Sequence, residues 1–407
     1  MSRVVEVISP ARLGTNYRWL LASSWVTNIG DGIALAAGPL LVASQTRDPL
    51  LVALAALLQR LPWLLFGLVA GAIADRLDRR LVVMAVDSAR SVILGLLCLM
   101  IATDRINIAV VLAAMFVLGV AEVFADTTTG TLMPMFVEKD DLGVANARLQ
   151  AGFLTANQLV GPPVGALLFG LGMAWPFVMQ TVTTLFGVLL VAKIALPRGG
   201  IRERTGTHVR QDIAEGVRWL LGHAAIRTLA IVMFTFNVTW GAAWSVLVLY
   251  SLDRLHMGEV GFGLLTTTAA VGGIIGTTTY GWLERRIPLG TLMRGVLLLE
   301  VLTHLSLALA TTGWVALLIM LVFGGYAFVW GTLSNAVRQR AVPTEFQGRV
   351  SSVYLVGLFG GLVIGQALGG MIADQWGLTA PFWFAFVGAG LTLALVWRQL
   401  PRIAHAD

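Results

Sequence analysis

The chain is poor in charge. Only 12% of its 407 residues are Asp, Glu, Lys or Arg, about half the share of an ordinary soluble domain. With 57% hydrophobic residues, this excludes a disordered chain and most soluble enzymes. Cysteine is reduced to Cys98, which lies in an apolar run, so no intrachain disulfide framework exists. The five histidines (His208, His223, His256, His304 and His405) are scattered without metal-ligand spacing. There is no G-x-x-x-x-G-K-[ST] phosphate loop and no G-x-S-x-G nucleophile elbow. Their absence argues against direct ATP drive and against an intramembrane enzyme. Neither a cofactor nor a metal is expected.

What is abundant is glycine, 45 residues, and long apolar runs. Glycine in so apolar a chain points to close helix packing rather than to flexible linkers. Runs long enough to cross a bilayer fall near 17–44, 50–74, 81–103, 108–132, 144–170 and 173–195, and again near 225–252, 258–283, 288–312, 313–338, 347–374 and 378–400. The weakest separation is at Thr311-Thr312-Gly313. The N-terminus has no short apolar core followed by a small-residue cleavage site, so its first run is expected to be a retained helix. The pattern predicts an all-α membrane protein of twelve transmembrane helices in two six-helix halves. The expected domains are residues 1–196, a linker at 197–224, and residues 225–407.

The linker region carries Arg198, Arg202, Arg204, Arg210, Arg218 and Arg227 among Glu203, Asp212 and Glu215. Residues 211–221 alternate as an amphipathic helix, expected either along the inner membrane surface or as a solvated linker. With the N-terminus inside, only Arg47, Arg105 and Arg254 of the 28 basic residues fall in outer loops. The bias predicts both termini in the cytoplasm and accounts for the net charge of +6 through anionic lipid headgroups, without nucleic acid. The halves also repeat. Met133-Pro134 through Glu138 and Arg148 leads to Gly161 and Gly165, and Val342-Pro343-Thr344-Glu345 through Arg349 leads to Gly365 and Gly369. Two repeated halves are the pattern of secondary transporters, with the substrate path at the repeat interface.

After the second apolar run the chain reads Gly71-Ala-Ile-Ala-Asp75-Arg76-Leu-Asp78-Arg79-Arg80, which resembles the G-x-x-x-D-R-x-G-R-R signature of the major facilitator superfamily. Asp78 stands where that signature has glycine. Aspartate tolerates left-handed geometry better than most residues, so a tight turn in that or another form is expected. Asn28-Ile-Gly30-Asp31-Gly32, Met133-Pro134, Ala145-Asn146 and Gly161-Pro162-Pro163-Val-Gly165 look like the branch of enterobactin-type and macrolide-type exporters. The resemblance implies the major facilitator fold and a latch of Gly71, Asp75, Arg76, Arg79 and Arg80 that holds the outward-open state. It also implies a fifth-helix motif of Gly161, Pro162 and Gly165 associated with antiporters.

Ionisable residues at mid-membrane are functional candidates by default. Asp31 and Arg60 lie about equally far from the turn near residue 45, which suggests either an ion pair or a role in protonation or substrate charge. Arg90 and Glu122 reach similar depth on the third and fourth helices, with Asp87 and Asp126 nearer the inner side. Glu122 and Asp126 share a face at i and i+4, an arrangement suited to proton exchange. Proton coupling is thus expected among Asp31, Glu122, Asp126, Arg60 and Arg90. Glu300 and His304, also i and i+4, read either as a protonatable pair or, on a helix that is peripheral in this fold, as a packed, satisfied one. Asn28, Asn157, Gln158, Asn237, Trp240, Trp244, Tyr326, Trp330 and Asn335 are candidates for the substrate path, although single aromatics equally suit a core or an interfacial belt.

The expected function is proton-antiport export of a small amphipathic or hydrophobic molecule across the cytoplasmic membrane by alternating access. Expected partners are that substrate, protons and membrane lipids, and a monomer is expected. A proton-coupled importer and a non-transporting membrane sensor are the alternatives.

Overall fold

A computed structural model describes residues 11–74, 77–195, 209–343 and 346–404. The apolar runs are all helical. In chain order they form α1 (Gly14–Gln45), α2 (Pro49–Ala74), α3 (Arg79–Ala102), α4 (Ile108–Leu132), α5, α6 (Trp175–Val191), α7 (Val209–Gly222) and α8 (Ala224–Ser245). Then come α9 (Gly258–Arg286), α10 (Leu289–Leu309), α11 (Gly313–Ala341), α12 (Gln347–Trp376) and α13 (Ala380–Val396). α5 is composite: Leu142–Gly152 and Gly161–Leu171 are α-helical, and Phe153–Val160 between them is a π-helical stretch. Ten of the helices are long and apolar enough to span a bilayer by length and composition. α6 and α13 have 17 residues each, about 26 Å of helix, which is the lower limit for a crossing. Both are shorter than the runs at 173–195 and 378–400. With α7 set apart, the long apolar helices among the described residues number twelve.

Caps explain several boundaries. Asp78 is the N-cap of α3 at φ −63°, and its carboxylate accepts from the backbone N–H groups of Arg80 and Leu81 at 2.9 and 3.2 Å. The turn is therefore made by capping, without left-handed backbone. Asn107 caps α4 by accepting from the Val110 N–H. The doubtful division near residue 312 is real: α10 ends at Leu309 and α11 starts at Gly313.

Two compact units emerge from the chain's own contacts. The first comprises Met1–Gln45 with Leu65–Arg204, and the second Thr46–Leu64 with Thr205–Asp407. In the first, α1 packs on α5 and α6, and α3 on α4 and α6. In the second, α8 packs on α12 and α13, and α9 on α11. Glycine makes these seams. A Cβ at Gly161 or Gly165 would collide with the backbone of Gly32 or Ile33 across α1 and α5. In the repeat, a Cβ at Gly365 or Gly369 would collide with Val238 or Ala242 across α8 and α12. Small residues at one-turn spacing thus bring each backbone pair into direct contact.

The amphipathic helix α7 does more than bridge. Glu215 pairs with Arg349 at 2.9 Å, and Trp219 stacks on Phe346 at 5.9 Å between ring centres. A Cβ at Gly216 would come within 2.7 Å of the Arg349 carbonyl. α7 is docked by one face on the start of α12, while Val217, Arg218 and Leu221 on its other side are exposed.

Candidate functional site

The first unit holds a cluster of charge inside its helices. Arg90 of α3 is buried, and it donates to Asp31 of α1 at 2.6 Å and to Asp87, one turn back on α3, at 3.2 Å. Glu122 and Asp126 of α4 lie within electrostatic reach of the same guanidinium. Gln180 of α6, also buried, donates to Asp31 at 3.3 Å. Four carboxylates from three helices therefore surround one arginine. Asp87 is buried, Asp31 and Glu122 are half-buried, and Asp126 retains exposed surface.

The local sequence explains how Asp31 is held. A Cβ at Gly30 would collide with Thr183 of α6, and one at Gly32 would sit 2.5 Å from the Asn157 carbonyl of α5. Glycine on both sides lets two helices close on α1, and the aspartate between them meets Gln180 and Arg90. Of the two readings open for Asp31, the ion pair is formed, with Arg90 rather than Arg60 as its partner; Arg60 is half-buried and belongs to the second unit. Equal depth on consecutive helices says nothing about the direction in which each side chain points.

The latch residues are partly placed. Asp75 and Arg76 lie outside the described residues. Arg79 donates to the Thr131 carbonyl at the end of α4 at 3.0 Å, and Arg80 to the Ile194 carbonyl beyond α6 at 2.7 Å. Gly71 faces the Thr127 methyl, and a Cβ there would lie at ordinary van der Waals distance. Gly161, Pro162 and Gly165 are buried where α5 returns to α-helix after its π stretch.

In the second unit a cavity of about 230 Å³ is lined by Asn237 and Trp240 of α8, Glu300 of α10, and Phe323, Tyr326 and Trp330 of α11, among others. Trp244 backs this wall, stacked on Trp240 at 4.6 Å. Four of the residues proposed for a path from sequence thus meet around one space. The others are held within their own helices or seams. Asn335 is exposed and accepts from Arg338, Asn28 donates to Ser24 within its own helix, and Asn157 is buried against Gly32 in the α1–α5 seam with Gln158 donating to it. A polar residue in a spanning helix is as well satisfied in a helix seam as in a path, and the seam position of Asn157 follows from Gly32, which leaves no room for a side chain.

Two residues of these sites were missed or undervalued in sequence. Gln180 is the one amide in the apolar run of α6, a signal of the same kind as a buried charge. Glu300 does pair with His304, Nε2 to Oε1 at 3.1 Å and buried, but the pair is not merely packed, because Glu300 also forms cavity wall.

The sequence profile of the transmembrane secretion effector family matches residues 7–407. The chain belongs to this family of major facilitator transporters. Among its relatives is a multidrug efflux pump, Tap, of Mycolicibacterium fortuitum, 30% identical, with 95% of this chain and 96% of that protein covered. The enterobactin exporter EntS of Shigella boydii is 24% identical over 95% and 94% of the two chains. Macrolide efflux protein A of Streptococcus pyogenes is 21% identical over 90% and 91%. Among solved structures, a bacterial homologue of the iron transporter ferroportin superposes with a TM-score of 0.77 at 18% identity, covering 95% of this chain and 98% of that one. The nucleoside transporter NupG superposes with a TM-score of 0.74 at 12% identity, covering 97% and 100%. These two likenesses establish the fold. The secretion effector is thus a multi-pass membrane transporter of small molecules and not an enzyme.

Proposed function

We propose that this secretion effector exports a small amphipathic or hydrophobic molecule across the cytoplasmic membrane in exchange for protons. The observation that carries the reading is the cluster in which Asp31, Asp87, Glu122 and Asp126 face the single guanidinium of Arg90. Asp31 and Asp87 contact Arg90 directly and Glu122 and Asp126 lie within its electrostatic reach, and acidic groups gathered within spanning helices are candidates for carrying protons. Protons entering from outside bind among Asp31, Glu122 and Asp126, with Arg90 as their counter-charge, and favour release of cargo. Binding of proton and cargo must oppose each other for exchange to occur. The names of the relatives, a multidrug efflux pump, a macrolide efflux protein and an enterobactin exporter, support outward transport.

The remaining parts of the proposal rest on the sequence. The Arg bias of the loops supports cytoplasmic termini and contact with anionic lipids. The repeat supports halves at 1–196 and 225–407 acting as a monomer around the substrate path, with Asn237, Trp240, Tyr326 and Trp330 on its wall. Gly71 with Asp75, Arg76, Arg79 and Arg80 is the latch, for which the grips of Arg79 and Arg80 on the ends of α4 and α6 supply the contacts.

The test is substrate-induced proton movement in inverted vesicles under an imposed pH gradient, with lipophilic cations, macrolides and siderophores as probes. Wild type is expected to dissipate the gradient with some of these. Asp31→Asn, Glu122→Gln or Asp126→Asn is expected to reduce the response about tenfold or more. Full response in all three would remove the coupling assignment, accumulation in the opposite direction would make the chain an importer, and ligand binding without flux would make it a sensor.

A further inference from the structure

Glu300 is the only buried carboxylate among the described residues of the second unit, and no lysine or arginine lines the cavity it faces. Its one ion-pair partner is His304, whose Nδ1 is buried without a hydrogen bond. The tautomer that carries hydrogen on Nε2 suits this arrangement. It donates to the Glu300 carboxylate, whereas hydrogen on Nδ1 alone would set two acceptors against each other at 3.1 Å. Glu300 is thus the one acidic side chain on the cavity wall, and no lysine or arginine faces it there. The Tyr326 hydroxyl, buried in the same wall, also lacks a hydrogen bond of good geometry, with Glu300 and Thr303 beside it.

The rest of the wall is aromatic and flat-faced. Trp240, Trp244 and Phe323 form a triangle of rings, with Trp240 4.6 Å from Trp244 and 6.0 Å from Phe323 and Trp244 5.8 Å from Phe323, and Phe323 meets Tyr326 edge-on at 5.7 Å. Aromatic faces attract a desolvated cation, and a carboxylate lining the same cavity fixes the sign of the ligand. An anion would meet Glu300 unopposed. We propose that this cavity is a binding site for flat aromatic monocations, with Glu300 as the counter-charge that selects them over neutral molecules of the same shape. The proposal rests on the export reading for its role in transport, while binding itself does not require flux.

The experiment uses the full-length protein in lipid nanodiscs and a pair of fluorescent probes of almost equal shape: 10-methylacridinium, permanently charged, and acridine, neutral at mildly alkaline pH. Wild type is expected to prefer the cation. Glu300→Gln is expected to weaken methylacridinium about 30-fold, the loss that follows removal of one partner from a buried charge pair, and to leave acridine within about twofold. Trp240→Ala is expected to weaken both. Equal wild-type affinities, a comparison that needs no variant, or unchanged methylacridinium binding by Glu300→Gln would overturn the proposal. Vesicle flux separates this outcome from the fate of the export reading. Pumping of neutral probes without a cation preference would remove this site and keep export, and cation binding without flux would do the reverse.

Discussion

Arg90 is the residue on which the first unit's polar interior depends. It is buried, with 6% of its side chain exposed, between two carboxylates in direct contact. Its removal leaves those charges uncompensated, which for a buried pair costs about 3–5 kcal/mol. Arg90→Ala is therefore expected to lower the melting temperature sharply and to reduce the yield of folded protein, as measured by fluorescence-detected size exclusion. Asp31→Asn retains the shape and an acceptor for Gln180, so it is expected to fold and melt near wild type while losing proton exchange about tenfold or more, a typical scale for lost coupling. Asp31, Glu122 and Asp126 were legible in the sequence as rare charges in apolar runs. The partner of Asp31 was not, because depth can be counted along a chain but azimuth cannot. That direction is set by which helices close on α1, and the closing helices are chosen by Gly30 and Gly32, whose meaning appears only with Thr183 and Asn157 opposite them.

At the scale of the element, the seams between α1 and α5 and between α8 and α12 are the most restrictive features. Gly165 touches Ile33, and Gly365 touches Val238, with no space for one further carbon. Gly165→Val and Gly365→Val are each expected to destabilise by about 1–3 kcal/mol, the range for overpacking, visible as lower thermal stability in detergent. Gly67→Ala, where nothing lies within 4 Å of the added carbon, is the control and is expected to be neutral. The spacing of these glycines was readable in sequence, and so was the amphipathic helix over 211–221. Its docking on α12 was not, because the salt bridge of Glu215 with Arg349 and the stacking of Trp219 on Phe346 join residues more than a hundred positions apart. The π-helical stretch at Phe153–Val160 also had no clear signal beyond the two prolines that follow it.

For the whole molecule, hydropathy and the Arg bias carried most of the information, since a bilayer forces every spanning segment to be apolar and helical. Twelve apolar runs follow from hydropathy and the orientation from the Arg bias, while the repeat is read from the matched Met133-Pro134 and Val342-Pro343 segments and the glycines that follow them. The orientation can be checked directly: a fluorescent protein fused to the C-terminus is expected to fluoresce, and alkaline phosphatase at the same point to be inactive in intact cells. The reverse pattern would place the termini outside. The cavity around Glu300 was less legible because its walls come from α8, α10 and α11, which the chain order separates.

Arg90 and all four of its carboxylates belong to one unit of the chain, and this has an electrical consequence. A guanidinium that keeps its partners contributes no net current of its own, so the charge moved per cycle is the protons carried less the charge of the cargo. Exchange of one proton for a neutral molecule moves one elementary charge and draws on the membrane voltage, about 2.3 kcal/mol for each 100 mV. Exchange of one proton for a monocation held by Glu300 moves none and is driven by the pH difference alone. A valinomycin-clamped voltage should therefore accelerate export of neutral cargo and leave cationic cargo unaffected, so that the same protein discriminates between cargoes by the form of energy each one draws upon.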